Sequence, residues 1–458
     1  MPLHLLTSLH AAAVALGLLT YVLVSRAGRQ RRHPSAAIGW VLGIFAFPYL
    51  AIPLFLMIGA RKATRPMRTE TSCQPSDDDV AGPRWASRLS AGIGLPPVRQ
   101  NSRIAILGEG HEALESLLSL IDGAQSQFDL STFQFANDQT GNRVAKALTE
   151  AAARGVRVRV LVDAIGSLKA SRSLHRALAA AGVEISLFMP LLHNPRRGRT
   201  NLRNHRKLAI ADGRCVWSGG RNITDAYFVD RASELAWRDL SFMIEGPIAT
   251  DAQRVFDEDW RIAGGRIRAA VPPDVERAST NNPAQLIASG PDHADDTIYA
   301  FLLTAIHHAD SSLLAATPYF VPDDALLQAL VIACRRGVRV TLLLPRRSNH
   351  QFADWARERA LRDLAAAGAT ILLLPAMLHA KLLIVDDSVA LCGSVNLDGR
   401  SLFLNYELST AFYGGREIEN FGQWFARQTA DAQVYVVRRP SLLRDIGEGL
   451  VRAVAFQL

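Results

Sequence analysis

The sequence predicts an α/β protein of two pseudo-symmetric halves, each a sheet covered by helices, behind an N-terminal pair of apolar helices. Three observations predict it. Strand-like and helix-like periodicities alternate after residue 100. The pentapeptide at 154–158, RGVRV, recurs at 336–340, an offset of 182 residues. Two charge-free apolar runs occupy residues 3–24 and 36–59.

Each apolar run is long enough, as one helix, to cross a hydrocarbon core of about 30 Å. The first lacks a basic leader and is followed by the second, so a retained hairpin anchor is expected over a cleaved signal peptide. Trp40 and Tyr49 sit where interface aromatics are expected. Pro48 and Pro53 interrupt the second run, which opens a kinked or re-entrant path. Gly39 and Gly43 form a GxxxG match, which suits a homodimer contact through the membrane segment.

The chain has 458 residues and a net charge of +8, which invites a nucleic-acid reading. The location of the charge argues otherwise. Residues 1–68 contain no Asp or Glu and eight basic residues: Arg26, Arg29, Arg31, Arg32, Arg61, Lys62, Arg65 and Arg68. Residues 69–458 carry 43 basic and 43 acidic side chains. The excess sits wholly beside the apolar runs, where each charge near an anionic surface is worth about 1 kcal/mol. The expected partner is a bilayer with anionic lipid, and no nucleic acid.

The expected organisation is an anchor at 1–68, a polar acidic linker at 69–100, a first half at 101–265, a second linker at 266–283 and a second half at 284–458. In the first half, 112–124 reads as an amphipathic helix, 128–135 as a strand, 142–153 as a helix and 156–162 as a buried strand. In the second, 313–320 and 325–334 repeat the strand and helix. Cys73, Cys215, Cys334 and Cys392 show no spacing that suggests a disulfide framework or a zinc site.

The chemistry lies in a second repeat. His205, Lys207, Asp212, Gly219, Gly220 and Asn222 match His379, Lys381, Asp386, Gly393, Ser394 and Asn396 at identical spacings. Residues 202–211 and 378–385 are rich in β formers. Side chains two apart on a strand share a face, so His and Lys are expected to point together. Asp212 and Asp386 complete the two motifs and are counted in the catalytic set with the His–Lys pairs, although they begin turns and read more as turn or supporting residues than as participants. The glycines are expected to admit a ligand close to the backbone, and Asn222 and Asn396 to donate amide hydrogens.

Two imidazoles suit a two-step displacement at phosphorus. One attacks; the other protonates the leaving alkoxide and then deprotonates the incoming hydroxyl. Two ammonium and two amide groups would cradle the anion. The lysine pair supplies the charge that Mg²⁺ supplies elsewhere, so neither metal nor cofactor is expected. His307 and His308 read as a solvated helix face. His193 and His350 have no repeated counterpart, and Arg196, Arg197 and Arg199 read as a solvated loop.

The doubled H-x-K-x4-D-x6-G-[GS]-x-N resembles the signature of the phospholipase D superfamily. Within it, the stretches RNHRK, GGRNITDAY, WRD, EGP, FDEDW, SGPD, TPYFVPD and GSVNLDGRSLFLNYE resemble bacterial cardiolipin synthases. The resemblance covers almost the whole chain. It implies two phospholipase D-like α-β-α sandwich halves and a metal-free transfer of a phosphatidyl group between phosphatidylglycerol molecules. A phosphatidyl-histidine on His205, with His379 as acid and base, is implied. So are Asp239 and Glu407 as carboxylates orienting the imidazoles. The expected place is the bacterial inner (plasma) membrane, as a multi-pass protein; the basic clusters flanking the second run tie on the positive-inside rule, and a re-entrant second run would put both of them, and the catalytic part, on the cytoplasmic side. The stretch 348–377 departs from the family in lacking its tyrosines and Asp. Water as acceptor, a synthase using phosphatidylethanolamine as one partner, and a nuclease on the same scaffold are the alternative readings; an inactive membrane scaffold is disfavoured by two intact motifs.

Overall fold

The structure is a computed structural model. It describes residues 3–27, 34–59, 82–168, 172–190, 201–230, 235–266, 282–293, 295–438, 440–441, 444 and 447–449. The basic clusters at 29–32 and 61–68, most of the linker at 266–283, His193 and Arg196–Arg199 lie outside them.

The apolar runs form three helices: α1 (Leu3–Ala27), α2 (Pro34–Ala46) and α3 (Pro48–Ile58). Among the described residues, one helix, α1, is long and apolar enough to cross a membrane. The expectation of a single second helix is corrected. The chain breaks at Phe47 (φ −138°, ψ 60°), because Pro48 lacks an amide hydrogen and starts a new helix. Helix α3 folds back on α2: the Trp40 and Phe55 rings lie 5.3 Å apart. With 13 and 11 residues, α2 and α3 rise about 20 Å or less, too short to span singly. A Cβ on Gly43 would lie 3.7 Å from Ala51 Cβ, so half of the GxxxG face already meets α3.

The linker expectation is corrected from residue 84 onward. Arg84–Gly92 forms α4, and Trp85 and Leu89 pack on the second half's core. Trp85 also stacks on His308, ring centroids 5.6 Å apart, so His308 is not a bare solvated face. Strand β1 (Arg99–Asn101) pairs with β9.

The first half supplies β2 (Arg103–Leu107), β3 (Gln127–Thr132), β4 (Arg157–Asp163), β5 (Glu184–Phe188), β6 (Leu208–Ala211), β7 (Cys215–Gly219) and β8 (Ser241–Glu245). The second supplies β9 (Asn282–Ser289), β10 (Ser312–Ala316), β11 (Phe320–Val321), β12 (Arg339–Pro345), β13 (Thr370–Leu374), β14 (Leu382–Val385), β15 (Val389–Gly393), β16 (Leu397–Asp398), β17 (Glu407–Phe412) and β18 (Gln433–Val434). The first sheet runs β2-β8-β7-β6-β3-β4-β5 and the second β1-β9-β17-β15-β14-β10-β12-β13-β18; β11 and β16 pair separately. With β1 and β18 set aside, the two orders are the same. In each, the three strands at one side are parallel and the rest antiparallel.

The sheets face each other across one shared core. Phe242 of β8 meets Phe412 of β17 edge-on at 5.1 Å, both fully buried. Each such burial contributes about 2–3 kcal/mol. The helices Ile248–Ile262 and Gly415–Thr429 flank this core. Below it, Arg206 bolts the halves together. Its buried guanidinium reaches Asp259 at 2.6 Å, Asp292 at 3.3 Å, and the Ser289 and Glu407 carbonyls. Burial pushes the Asp259 carboxyl up to about 6 against the pull of Arg206, while Arg206 itself stays charged between two carboxylates.

Candidate active site

Both histidines sit just before a strand, where the two halves touch. This corrects the expectation that His205, Lys207, His379 and Lys381 lie within strands: β6 begins at Leu208 and β14 at Leu382. The preceding residues bond across the halves instead. The His205 amide donates to the Tyr406 carbonyl at 2.9 Å, and the His379 amide to the Arg238 carbonyl at 2.7 Å.

The carboxylates cross over. Glu407, from the second half, lies 3.4 Å from His205 Nδ1. Asp239, from the first half, lies 2.7 Å from His379 Nδ1. Both carboxylates are fully buried. An Nδ1–H donated to a carboxylate leaves Nε2 as the reactive nitrogen. Burial opposes the Glu407 charge, yet His205, Lys207 and the Ser394 hydroxyl hold its carboxyl below the usual range. Burial likewise opposes Asp239, and His379, Lys381 and Arg221 outweigh it.

The two sets share one site. Burial pulls Lys207 down to about 8 and Lys381 down to about 7, and the Lys207 charge further lowers Lys381. Burial and then Lys381 bring His379 down to about 3. Burial also lowers His205. At neutral pH both imidazoles are therefore neutral and both lysines hold their protons less firmly than usual, a balance that an anion between them would shift toward the charged lysines.

Asp212 and Asp386 are not beside the imidazoles. Each lies at the far end of its strand, about 13 Å from the His–Lys end by strand rise. Asp212 accepts from the amides of Gln125, Ser126 and Gln127 at 2.7–3.0 Å. Asp386 accepts from those of Asp310, Ser311 and Ser312 at 2.7–2.9 Å. They are strand anchors, so their placement in a catalytic set is corrected. The glycines also serve differently from expectation. A Cβ on Gly220 would stand 2.2 Å from Asp239 Oδ1, and one on Gly393 would stand 2.3 Å from the Leu408 carbonyl. They make room for the neighbouring strand and carboxylate. The amides of Asn222 and Asn396 donate to Tyr227 Oη (2.8 Å) and Ser401 Oγ (3.1 Å), while both Oδ1 atoms are buried without a partner among the described residues.

Several site residues carry no signal in the repeat. Tyr227 Oη lies 3.4 Å from His379 Nε2. Trp237 packs 5.6 Å from the same ring. Phe133 packs on His205 at 4.2 Å, and Asn405 Nδ2 lies 3.2 Å from its Nδ1. Tyr227, Trp237 and Asn405 fall within GGRNITDAY, WRD and GSVNLDGRSLFLNYE, quoted above for the family resemblance, and Phe133 falls within none of those stretches.

Two H-x-K motifs meeting in one site, each backed by a carboxylate from the opposite half, define the class as phospholipase D-like. The family described as "Cardiolipin synthase, PLD-like domain" matches residues 117–260 and again 302–429, and the chain belongs to that family. A cardiolipin synthase A of Pseudomonas putida (strain W619) is 32% identical over 399 residues, covering 82% of this chain and 83% of the relative. The major cardiolipin synthase of Bacillus subtilis (strain 168) is 30% identical over 410 residues, covering 84% and 85%. A solved phosphatidylserine synthase from Haemophilus influenzae Rd KW20 shares the fold, with a TM-score of 0.63 at 14% identity over 81% of this chain and 99% of that one.

Proposed function

We propose that the chain is a membrane-bound phosphatidyltransferase that joins two phosphatidylglycerol molecules into cardiolipin and releases glycerol. His205 Nε2 attacks phosphorus, and the bond to the glycerol oxygen breaks. His379, protonated once the anion offsets Lys381, gives its proton to that oxygen, and glycerol leaves. The terminal hydroxyl of a second phosphatidylglycerol then passes its proton to His379 as its oxygen attacks phosphorus, which frees His205. Lys207 and Lys381 hold the phosphate oxygens, with Asn222 and Asn396 turning an amide toward them. Asp239 and Glu407 position the imidazoles.

The observation that carries this reading is the crossed pairing of two neutral imidazoles with two buried carboxylates around two lysines. The reading extends to place: the inner (plasma) membrane of a bacterium, with α1 crossing and the α2–α3 hairpin re-entrant. Both basic clusters and the catalytic body then face the cytoplasm. Purified protein in detergent with labelled phosphatidylglycerol tests the reaction. Cardiolipin with an equal yield of glycerol is expected. Phosphatidic acid alone would make the enzyme a hydrolase.

A further inference from the structure

The site opens at the C-terminal ends of the parallel strands, where Ser131 of β3 pairs with Leu208. The segments that follow β4 and β12 flank this opening, and both expose large apolar side chains. After β4, Leu168 is 64% exposed and Ile165 is 36% exposed. After β12, Phe352 is 65% exposed and Trp355 is 61% exposed. Phe352, Trp355 and Arg359 follow one another at i, i+3 and i+7 on the helix Gln351–Ala367, so they share a face. Arg346 and Arg347 are exposed beside them. None of these three arginines has a carboxylate partner among the described residues.

Each segment is tied to one motif. Ser167 Oγ donates to the Phe133 carbonyl at 3.2 Å, and Phe133 packs on His205. Tyr319 Oη donates to Asn349 at 2.6 Å and its ring meets His350 at 5.1 Å. Tyr319 directly precedes β11, whose Phe320 pairs with Leu397, the residue next to Asn396 of the second motif. The exposed apolar groups are therefore the rim of the site, and not scattered surface residues.

We propose that this rim, Ile165 and Leu168 on one side with Phe352 and Trp355 on the other, inserts into an anionic bilayer and seats the mouth of the site on it. Arg346, Arg347 and Arg359 meet the lipid phosphates. Apolar and aromatic tips beside unpaired arginines are the composition of an interfacial surface. A bilayer, and no soluble partner, fits because α1 already holds the chain at a membrane and the mouth has to take a lipid. The latter point rests on the proposed function. The rim is a second contact, distinct from the N-terminal helices, that turns the mouth toward the substrate.

The test uses the full chain reconstituted in vesicles of equal phosphatidylglycerol and phosphatidylcholine. Acyl-chain-brominated lipid quenches tryptophans that reach the hydrocarbon. The quenched amplitude is expected to be smaller in Trp355→Phe than in the unmodified protein. An unchanged amplitude overturns the proposal, and would also be the result if a second copy of the chain covered the rim. A Phe352→Ser/Trp355→Ser variant is expected to lose about tenfold in transfer from vesicles while keeping its rate on a short-chain phosphatidylglycerol dissolved as monomers. Equal loss on both substrates overturns it. Failure of the unmodified protein to transfer from either lipid would count against the proposed function, and the quenching would still judge the rim.

Discussion

The surroundings of His205 and His379 differ more than their motifs do. His379 is packed by Tyr227, Trp237 and Asp239, all from the opposite half. The His205 side chain has Phe133 from its own half and, among the described residues, Asn405 and Glu407 from the other. Its side chain is 21% exposed, against 10% for His379. Position by position, Gly220 stands where Ser394 stands in the repeat. Gly220 leaves room for Asp239 to come within 2.7 Å of its imidazole, whereas Ser394 donates to Glu407 at 2.5 Å, and Glu407 stays 3.4 Å from His205. The more open imidazole with the looser carboxylate suits bond formation to phosphorus. The enclosed one, with a short carboxylate contact, suits proton transfer. One repeated motif thus suits two roles because equivalent positions carry different side chains: Asp239 and Glu407 each stand two residues before the strand residue that pairs with the first motif glycine, and Trp237 stands where Asn405 stands.

The largest effect that sharpens this contrast is loss of either imidazole. His205→Ala and His379→Ala are each expected to lower turnover at least ~10⁴-fold, and the double variant no further, because the two act as a unit. Steady-state transfer assays check it; additive losses would separate the two roles. Next come the crossed carboxylates. Asp239→Asn and Glu407→Gln are expected to cost ~10²–10³-fold in kcat with little change in thermal midpoint. Asp239→Asn should cost more, given its shorter contact. The reverse order would break the contrast drawn above.

The pH profile gives a smaller effect. Lys381 at about 7 and Lys207 at about 8 lose their charge as pH rises. The free enzyme then has less to offer an anion, so kcat/KM should fall at least about tenfold between pH 7 and 9. Lys381→Arg should flatten that alkaline limb. The smallest effect is at Tyr227. Tyr227→Phe should lower kcat about fivefold by removing the hydroxyl next to His379 Nε2. Ser401→Ala, at the corresponding position of the repeat, should do less because no contact links Ser401 to His205 among the described residues.

The four motif residues His205, Lys207, His379 and Lys381 were legible because duplication printed the same spacing twice. Asp239 and Glu407 were legible only through family resemblance: each lies beside a histidine 140 or more residues away in the other half, and no local pattern encodes a pairing across the halves. Arg206 was invisible for a related reason, since its counterpart is Ala380 and the repeat carries no trace of its ion pairs. Strands β6 and β14 were read too long at their starts because the β formers at 208–211 and 382–385 were extended back through the motif; Arg203, His205, His379 and Ala380 bond instead to the backbone of the opposite half. Pro48 did mark the break in the second apolar run. Trp85 and Leu89 were hidden in a polar stretch, and their helix became visible only with the core that receives them.

The central claim is that the covalent phosphatidyl group forms on His205, with His379 kept for the proton. The most direct measurement is rapid quenching of the unmodified enzyme with phosphorus-labelled phosphatidylglycerol in alkaline denaturant, followed by peptide mapping. Label on the peptide containing His205, absent from that containing His379, is the predicted result. Label on His379, or turnover with no histidine adduct at any quench time, would contradict it.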